Sequence, residues 1–530
     1  MFINAAMFLS TPNYIDFHIE TSEGECIHTF SGAEKAGKAL PGDSVKAIEN
    51  AGCELVYHVL HPPLVGLLEL NTTVRYGFTN RNVPLYLFKP YNESYPPMLV
   101  ASKDTSRTNQ LAVAVFEHWT DSTFPRGGIT KILGPAGVRE IELEAIALQY
   151  SPWSWTSKVC PVELIHPDRE SRFILDKPTI NIDPEGCLDI DDVLSLWKET
   201  KSNWTLAISI SDVSAYVELN PSLRFAEKIG QTLYTREGSI VRSMFPKQFA
   251  TDTFSLLPGK ERFVLTLFAT WNGSALFNFH WKECCLTNTA SYSYSKCNSI
   301  KELDTTVLKR IVSSLGGDPT DSHSWIESLM LLYNSEAATV LKKANAGLLR
   351  SHSEPEQKRL IKYAALGLPI QELAYPAATY TVCENETGHW GLKKGLYCHA
   401  SSPIRRYADI INQEVLKNRL KLQSTQYTLL ASTLNRLEKA AKSYDRDCRF
   451  VDCLLTSKGL TLSGIIVELH LEKKKVSVYI NDWRRIIRCP TIYEWKAGDS
   501  VQIQFHASMT GRCWKRKVIY TVASQNLDAQ

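Results

Sequence analysis

Apolar positions along this chain follow two periods, and the chain changes character where one gives way to the other. Through the first 150 or so residues they come in short, often alternating runs, among them YIDFHIE, GDSVKAIE, LVGLLEL, VPLYLF and LAVAVFEHW. That is the pattern of strands with one face on a core. Further on, Ile404, Tyr407, Ala408, Ile411 and Val415 recur at helical spacing. The stretch from Tyr427 to Ser457, which contains LLASTLNRLEKAAKSYDRDCRFVDCLL, predicts a longer helix. After it the two-residue period returns in SGIIVEL, VSVYI, DSVQIQF and KVIYTVAS, with turns at Asn481 and Gly498. The expected class is a multidomain α+β chain, strand-rich at both ends, and 530 residues suit three or four domains.

The densest candidate chemistry lies in the centre. Thr179 to Val193 reads TINIDPEGCLDIDDV. Thr179 to Ile182 predicts a strand, Pro184, Glu185 and Gly186 a turn, and Leu188 to Leu194 a second extended run. Asp183, Asp189, Asp191 and Asp192 then converge on one pocket. In an extended run the pleat sets Asp189 and Asp191 on one face and Ile190 on the other, toward the core. Clustered carboxylates repel one another unless cations neutralise them, and oxygen-only donors suit Mg²⁺ or Mn²⁺ rather than zinc. The spacing by itself also fits an acidic loop or a calcium site, although the full EF-hand pattern is missing.

A second segment, Gly395 to Gln413, reads GLYCHASSPIRRYADIINQ. Ser402 followed by Pro403 has the form of an N-cap and first helical residue, so a helix is expected to start there. Arg405 falls in its first turn, off the buried stripe. A guanidinium beside the free N–H groups of a helix start makes a phosphate clamp. A surface arginine on an amphipathic helix satisfies the same pattern.

Composition narrows the setting. Apolar residues make up 44% and charged residues 22%, which are globular values. No apolar run approaches the roughly eighteen residues needed to cross a membrane, and the start MFINAAMFLSTPNYIDF lacks the basic region and long apolar core of a secretory signal. Thirteen cysteines without a CxxC pair suit reduced thiols in a cytoplasmic or similar intracellular compartment. The net charge of +3 says little about nucleic acid. Its distribution says more: from Ser457 to Gln530 there are 12 Lys and Arg against 6 Asp and Glu, including Lys473 to Lys475, Arg484, Arg485, Arg512, Lys515, Arg516 and Lys517.

Together, the two central segments resemble the catalytic signatures of the RNase II/RNase R (RNB) family of 3′→5′ exoribonucleases, which includes the exosome-associated enzymes of eukaryotes. ISISDVSAYVE at 208–218, MFPKQFATDTFSLLPGKER at 244–262 and WIESLMLLYNSEAATVL at 325–341 are further family-like stretches in the same order, so the resemblance covers roughly 165–455. Ser209 stands where the family usually has histidine, Ser243 replaces a proline, and the segment after Tyr234 is about two residues longer. None of these departures touches the four aspartates or Arg405.

The resemblance implies a hydrolytic enzyme that degrades single-stranded RNA processively from the 3′ end to nucleoside 5′-monophosphates. Asp183, Asp189, Asp191 and Asp192 would bind two Mg²⁺ (or Mn²⁺) ions about 4 Å apart, one activating the attacking water and one stabilising the leaving oxygen. Arg405 would contact the scissile phosphate, which makes Asp191 and Arg405 the catalytic candidates. Tyr234 would pack against the terminal nucleotides and set the size of the final product, and Glu327 would lie near the terminal nucleotide. Outside the resemblance, Glu327 reads equally as a helix-surface carboxylate. His389 and His399 flank the clamp motif and receive no role. The alternative is an RNA-binding protein that kept the fold without turnover; retention of all four aspartates favours activity.

The architecture so implied is an RNB-type catalytic domain at 161–456, preceded by cold-shock-like OB barrels at 1–60, in shortened form, and 61–160, and followed by an S1-type OB barrel at 457–530. Its pattern is nearest the eukaryotic exosome-associated branch without that branch's N-terminal endonuclease domain. Tyr76 and Phe78 sit where cold-shock folds place stacking aromatics. Tyr479, Trp483, Trp495, Phe505 and Trp514 are candidate RNA platforms in the tail, although each also suits a barrel core.

Overall fold

Five strands pair at the N-terminus in the order Cys26–Ser31, Asp16–Thr21, Met7–Ser10, Ser44–Ile48, Gly52–Tyr57. In Asp16–Thr21 the alternation is plain: Phe17 and Ile19 are buried while Asp16 is exposed. A closed barrel follows, ordered Arg126–Pro135, Met98–Ala101, Leu85–Pro90, Leu64–Leu68, Gln110–His118. Phe17 and Ile19 share one core with Phe88, Met98 and Ala112 of the second barrel. In the computed structural model the described residues are 7–21, 25–48, 51–120, 122–384, 388–457, 459–507 and 517–523. They form two compact units, one of residues 1–153, 361–370 and 442–530, the other of 154–360 and 371–441.

The first unit also holds the C-terminal strands, all antiparallel in the order Arg485–Pro490, Lys475–Ile480, Leu462–His470, Ser500–Ala507, Val518–Ala523, an S1-like near-closed barrel. Two of the tail aromatics turn inward. Tyr479 is buried, and Trp483 is buried with its Nε1–H on Ser457 Oγ at 3.1 Å and Phe505 packed against it at 5.2 Å. These rings fill the barrel rather than present a platform. Lys517 is likewise buried, ion-paired with Glu142, so it is not a groove charge. Lys473 to Lys475 are exposed, whereas Trp514, Arg512, Lys515 and Arg516 lie outside the described residues.

The second unit is built on a seven-stranded sheet ordered Phe173–Leu175, Leu276–Thr287, Glu261–Trp271, Trp204–Ser211, Asp192–Lys198, Ile180–Asp183, Ala290–Ser293. The helix Ser322–Ala344 packs on it: Tyr333 is fully buried and donates to the Leu265 carbonyl at 3.2 Å. Ser209, at the position of the family histidine, is buried in the sheet and shares a hydrogen with Thr266 Oγ1 at 2.8 Å.

The expectation for Ser402 needs correction. No helix starts there; residues 403–405 form a turn, and the helix runs Tyr407–Leu416. The reason is tertiary. Gly230 accepts the Tyr407 N–H at 2.9 Å, Thr232 N–H donates to the Arg405 carbonyl at 3.0 Å, and Gln231 pairs with Arg406 as a β-bridge. Gly230 has φ 78°, a conformation glycine adopts without a Cβ penalty. The helix is also buried all round rather than amphipathic, its polar side chains acting as crosslinks. Asn412 holds both backbone groups of Leu348, Gln413 donates to the Ser211 carbonyl at 2.8 Å, and Glu414 accepts from Arg224 at 2.7 Å.

Candidate active site

The strand Ile180–Asp183 ends in a turn at Pro184–Gly186, and Asp192 begins the next strand, pairing with Ile210. Gly186 has φ 83°, the conformation that lets the chain reverse here. Between the turn and Asp192, Ile190 is pinned on both sides of its backbone. Its N–H donates to Ser255 Oγ at 3.0 Å, and its carbonyl accepts from Leu256 N–H at 3.0 Å. With the buried Ile190 side chain as anchor, Asp189 and Asp191 are held outward from a fixed point.

Asp192 is placed by its strand, and each of the other three carboxylates has its own support. Asn181 donates to Asp183 Oδ2 at 2.8 Å and is itself held by Asn288 at 2.9 Å. Tyr234 donates its hydroxyl to Asp189 Oδ2. Asp191 Oδ1 accepts the backbone N–H of Ile404 at 2.9 Å, while Oδ2 lies 3.4 Å from Arg405 Nε. The Arg405 side chain is about half exposed and also donates to Ser402 Oγ at 3.0 Å. Arg405 is therefore a turn residue braced against Asp191, not a guanidinium in a helix's first turn; the backbone N–H groups of that clamp are spent on Asp191 (Ile404), Ser402 (Arg405 and Arg406) and Gly230 (Tyr407).

The electrostatics are those of a site that lacks positive charge. Burial pushes Asp191 up to about 7, with Arg405 and the Ile404 N–H pulling the other way. Asp192 is driven well above the carboxylate range by burial and then by Asp183 and Asp191, and burial together with Asp189 raises Asp183. Buried carboxylates that disfavour their own ionised form become stable anions when divalent cations sit between them. The all-oxygen donor set fits Mg²⁺ or Mn²⁺, with Asp183, Asp189, Asp191 and Asp192 as the residues to hold them.

Two contributors carry no sequence signal of their own. Ser255, which pins Ile190, follows the π-helical turn Phe249–Thr253 inside the 244–262 stretch. Tyr294 directly follows the strand Ala290–Ser293, whose Ser293 pairs with Asp183, and its phenol is pushed up to about 12 by burial and then by Asp183 and Asp192. It stacks on His323 with ring centroids 3.6 Å apart. Glu327 is exposed on the same helix, one turn beyond His323 and on the same face, and among the described residues no hydrogen bond or ion pair joins it to the aspartates. In the other unit, Tyr76 and Phe78 are exposed beside the second barrel. His399 contacts Tyr380 Oη at 3.0 Å, and His389 Nδ1 accepts from Leu392 N–H at 3.2 Å, both local structural bonds.

The RNB domain matches residues 172–316 and 300–422, and the Dis3-like cold-shock domain 2 matches 85–151. Ribonuclease R of Buchnera aphidicola is 24% identical over 433 residues, which is 64% of this chain and 59% of that protein. The probable exosome complex exonuclease RRP44 of Caenorhabditis elegans is 23% identical over 470 residues, 69% of this chain and 48% of that protein. The chain thus spans about half the length of these curated relatives. Bacterial and eukaryotic proteins stand at similar distance, so the nearness to the eukaryotic branch expected from the pattern is not distinguished.

Among solved structures, Mycoplasma genitalium RNase R in complex with ribose-methylated single-stranded RNA superposes with a TM-score of 0.70 at 17% identity, covering 98% of this chain and 100% of that one. Yeast Ssd1, a pseudonuclease, gives a TM-score of 0.60 at 15% identity over 94% of this chain and 80% of that one. No described helix is long and apolar enough to cross a membrane. Residues 172–422 thus match the RNB domain and 85–151 a Dis3-like cold-shock domain, and the fold around them resembles that of RNase R.

Proposed function

We propose that this chain is a hydrolytic 3′→5′ exoribonuclease that degrades single-stranded RNA processively to nucleoside 5′-monophosphates with Mg²⁺, or Mn²⁺, at the aspartate cluster. One observation carries the reading. Asp183, Asp189 and Asp191 each have a hydrogen-bonded support and Asp192 is set beside them by strand pairing; three of the four are raised by burial and mutual repulsion, and an arginine is braced 3.4 Å from one of them. A protein that had lost turnover has no need to keep so costly an arrangement of charge.

Divalent cations bound there would supply an ionised water and neutralise the charge on the leaving oxygen. The residues do the rest. Ile404 and Arg405 orient Asp191 by its two oxygens. The half-exposed guanidinium can turn to a phosphate without breaking the Ile404 bond, and there it stabilises charge that develops in the transition state. Tyr234, tied to Asp189 by its hydroxyl, offers a ring beside the cluster on which terminal bases can stack. We assign the collection of RNA to the OB domains at 1–60, 61–160 and 457–530, with Tyr76 and Phe78 as stacking residues and Lys473 to Lys475 as phosphate contacts.

The second reading, an RNA-binding protein without turnover, has the Ssd1 likeness in its favour. Digestion of 5′-labelled single-stranded RNA decides. The enzyme reading requires loss of label length with Mg²⁺, none with EDTA, resistance of a blocked 3′ end, and sparing of DNA of the same sequence, whose missing 2′-OH leaves channel groups unpaired. Binding without shortening at any Mg²⁺ level establishes the second reading.

A further inference from the structure

Far along the sequence from the aspartate cluster, a second group of metal-type ligands lies where the N-terminal sheet meets the closed barrel. Asp43 is fully buried, with Oδ2 2.7 Å from His58 Nδ1 and Oδ1 2.9 Å from His61 Nε2. One donor atom from each residue can be chosen so that all lie within 4.8 Å of one another. His58 and His61 sit on the connection between the strands Gly52–Tyr57 and Leu64–Leu68, so they belong to the joint between the two domains.

The three side chains are fixed in place from behind. Asp43 accepts backbone N–H groups from Leu40 at 2.7 Å and Val59 at 2.9 Å. Both imidazoles pack edge-on against Phe116 of the second barrel, at 4.8 and 5.4 Å. His61 Nδ1 faces the Tyr95 hydroxyl at 3.5 Å, which leaves Nε2 as the nitrogen directed at Asp43. Ligating histidines are held in this way through their second nitrogen.

One atom is not explained by hydrogen bonding. His61 Nε2 lies 2.9 Å from the carboxylate, a contact that with the one from His58 helps hold Asp43 below the usual carboxylate range but is not aligned as a full hydrogen bond. Its ring is 2% exposed, so water does not compensate from bulk solvent. A buried imidazole nitrogen whose one polar contact is a poorly aligned carboxylate gains from a cation that takes its lone pair. His58 is 27% exposed, which gives an ion a route in and leaves room for a water as a further ligand.

We propose that Asp43, His58 and His61 bind a zinc ion that staples the joint between the two N-terminal OB domains. Two imidazoles and a carboxylate are a zinc donor set, unlike the all-carboxylate cluster that suits Mg²⁺. In a tetrahedral zinc site with bonds of 2.0–2.1 Å, ligand atoms stand roughly 3.3 Å apart. The Asp43 contacts, made by its two different oxygens, and the 4.8 Å bound on the three donor atoms leave shifts of no more than about 1.5 Å to reach it.

The test uses the full chain, stripped with a strong chelator and returned to buffer with excess Mg²⁺ to fill the aspartate cluster. Co²⁺ is then titrated in and followed by visible absorption, and Zn²⁺ is counted by elemental analysis. The site requires about one equivalent of Co²⁺ with the intense bands of four- or five-coordination, displaced by Zn²⁺. His61→Ala should abolish it, and His58→Ala should weaken it by at least about tenfold. Zn²⁺ should also raise the thermal midpoint of the native chain and not that of His58→Ala, whose partly exposed side chain makes it the deciding variant if His61→Ala fails to fold. Absence of an intense band and of stoichiometric Zn²⁺ makes the trio a plain hydrogen-bonded cluster and overturns the site. So does binding that survives both histidine changes but disappears in Asp191→Asn, since the ion then belongs to the aspartate cluster.

Discussion

Tyr234 gives its hydroxyl hydrogen to Oδ2 of Asp189, a partner 45 residues away in sequence, so the residue at the rim of the cluster is tied to one of its carboxylates. The ring and the hydroxyl therefore have separable work. Tyr234→Phe keeps the stacking face and removes the bond; the residual oligonucleotide should keep its length while the Mg²⁺ requirement rises. Tyr234→Ala removes a contact worth about 1–3 kcal/mol per base, which matters only when few other contacts are left. Sequencing gels should show a changed end product for Ala alone.

Asp191→Asn keeps an oxygen for the Ile404 N–H and deletes one negative charge. Turnover should fall by more than about 100-fold, since a ligand matters more than its outer partners, while RNA affinity holds or strengthens. Filter binding beside single-turnover digestion checks both halves. Normal turnover would remove the basis of the metal assignment.

Arg405→Ala should lower kcat far more than it weakens RNA binding, because the guanidinium's partner is charge that develops during reaction. Arg405→Lys should recover little, as it lacks the planar fork. A change confined to affinity would make Arg405 a positioning contact.

Asp191 predicts how pH and metal are linked. Its folded value of about 7 stands above the ordinary carboxylate value, so between the two the folded state holds a proton that the unfolded state has lost. Cation-free protein should lose stability as pH rises through that window. Mg²⁺ should bind more tightly as pH rises toward 7 and restore the loss. Thermal melts with and without Mg²⁺ at several pH values show the two curves separating.

Asp212 has the opposite sign. Burial alone would raise it, but Lys417 at 2.8 Å and Arg172 at 2.7 Å outweigh burial and hold it below the usual carboxylate range. Its contribution is present above the ordinary value and is lost as pH falls. Asp212→Asn should cost about 3–5 kcal/mol, because it leaves buried cations short of their counter-charge. Denaturant titration gives the figure.

The aspartates were readable because they are local: one turn and two strands bring them together within fifteen residues. Arg405 was readable as a residue but not as a geometry. Its helix start at Ser402 was cancelled by hydrogen bonds from residues 230–232, which no local pattern encodes. Ser255 reaches Ile190 from the segment after the π-helical turn, and Tyr294 follows the strand paired with Ile180–Asp183; both are set there by pairings between segments 65 or more residues apart. Tyr479 and Trp483 show the same ambiguity in the tail, since a barrel core and a stacking platform use the same rings. His58 and His61 carry no local signal because the third member, Asp43, lies on another strand's approach.

The bond from Ile404 to Asp191 spans 213 residues. During synthesis the carboxylates leave the ribosome about 10 to 40 s before the segment that orients them, at about 5–20 residues per second. A chain cut short before Ile404 therefore lacks both the N–H and the guanidinium. Nascent or truncated copies carry the acidic cluster in an unfinished state, and the finished arrangement arises only once most of the chain exists.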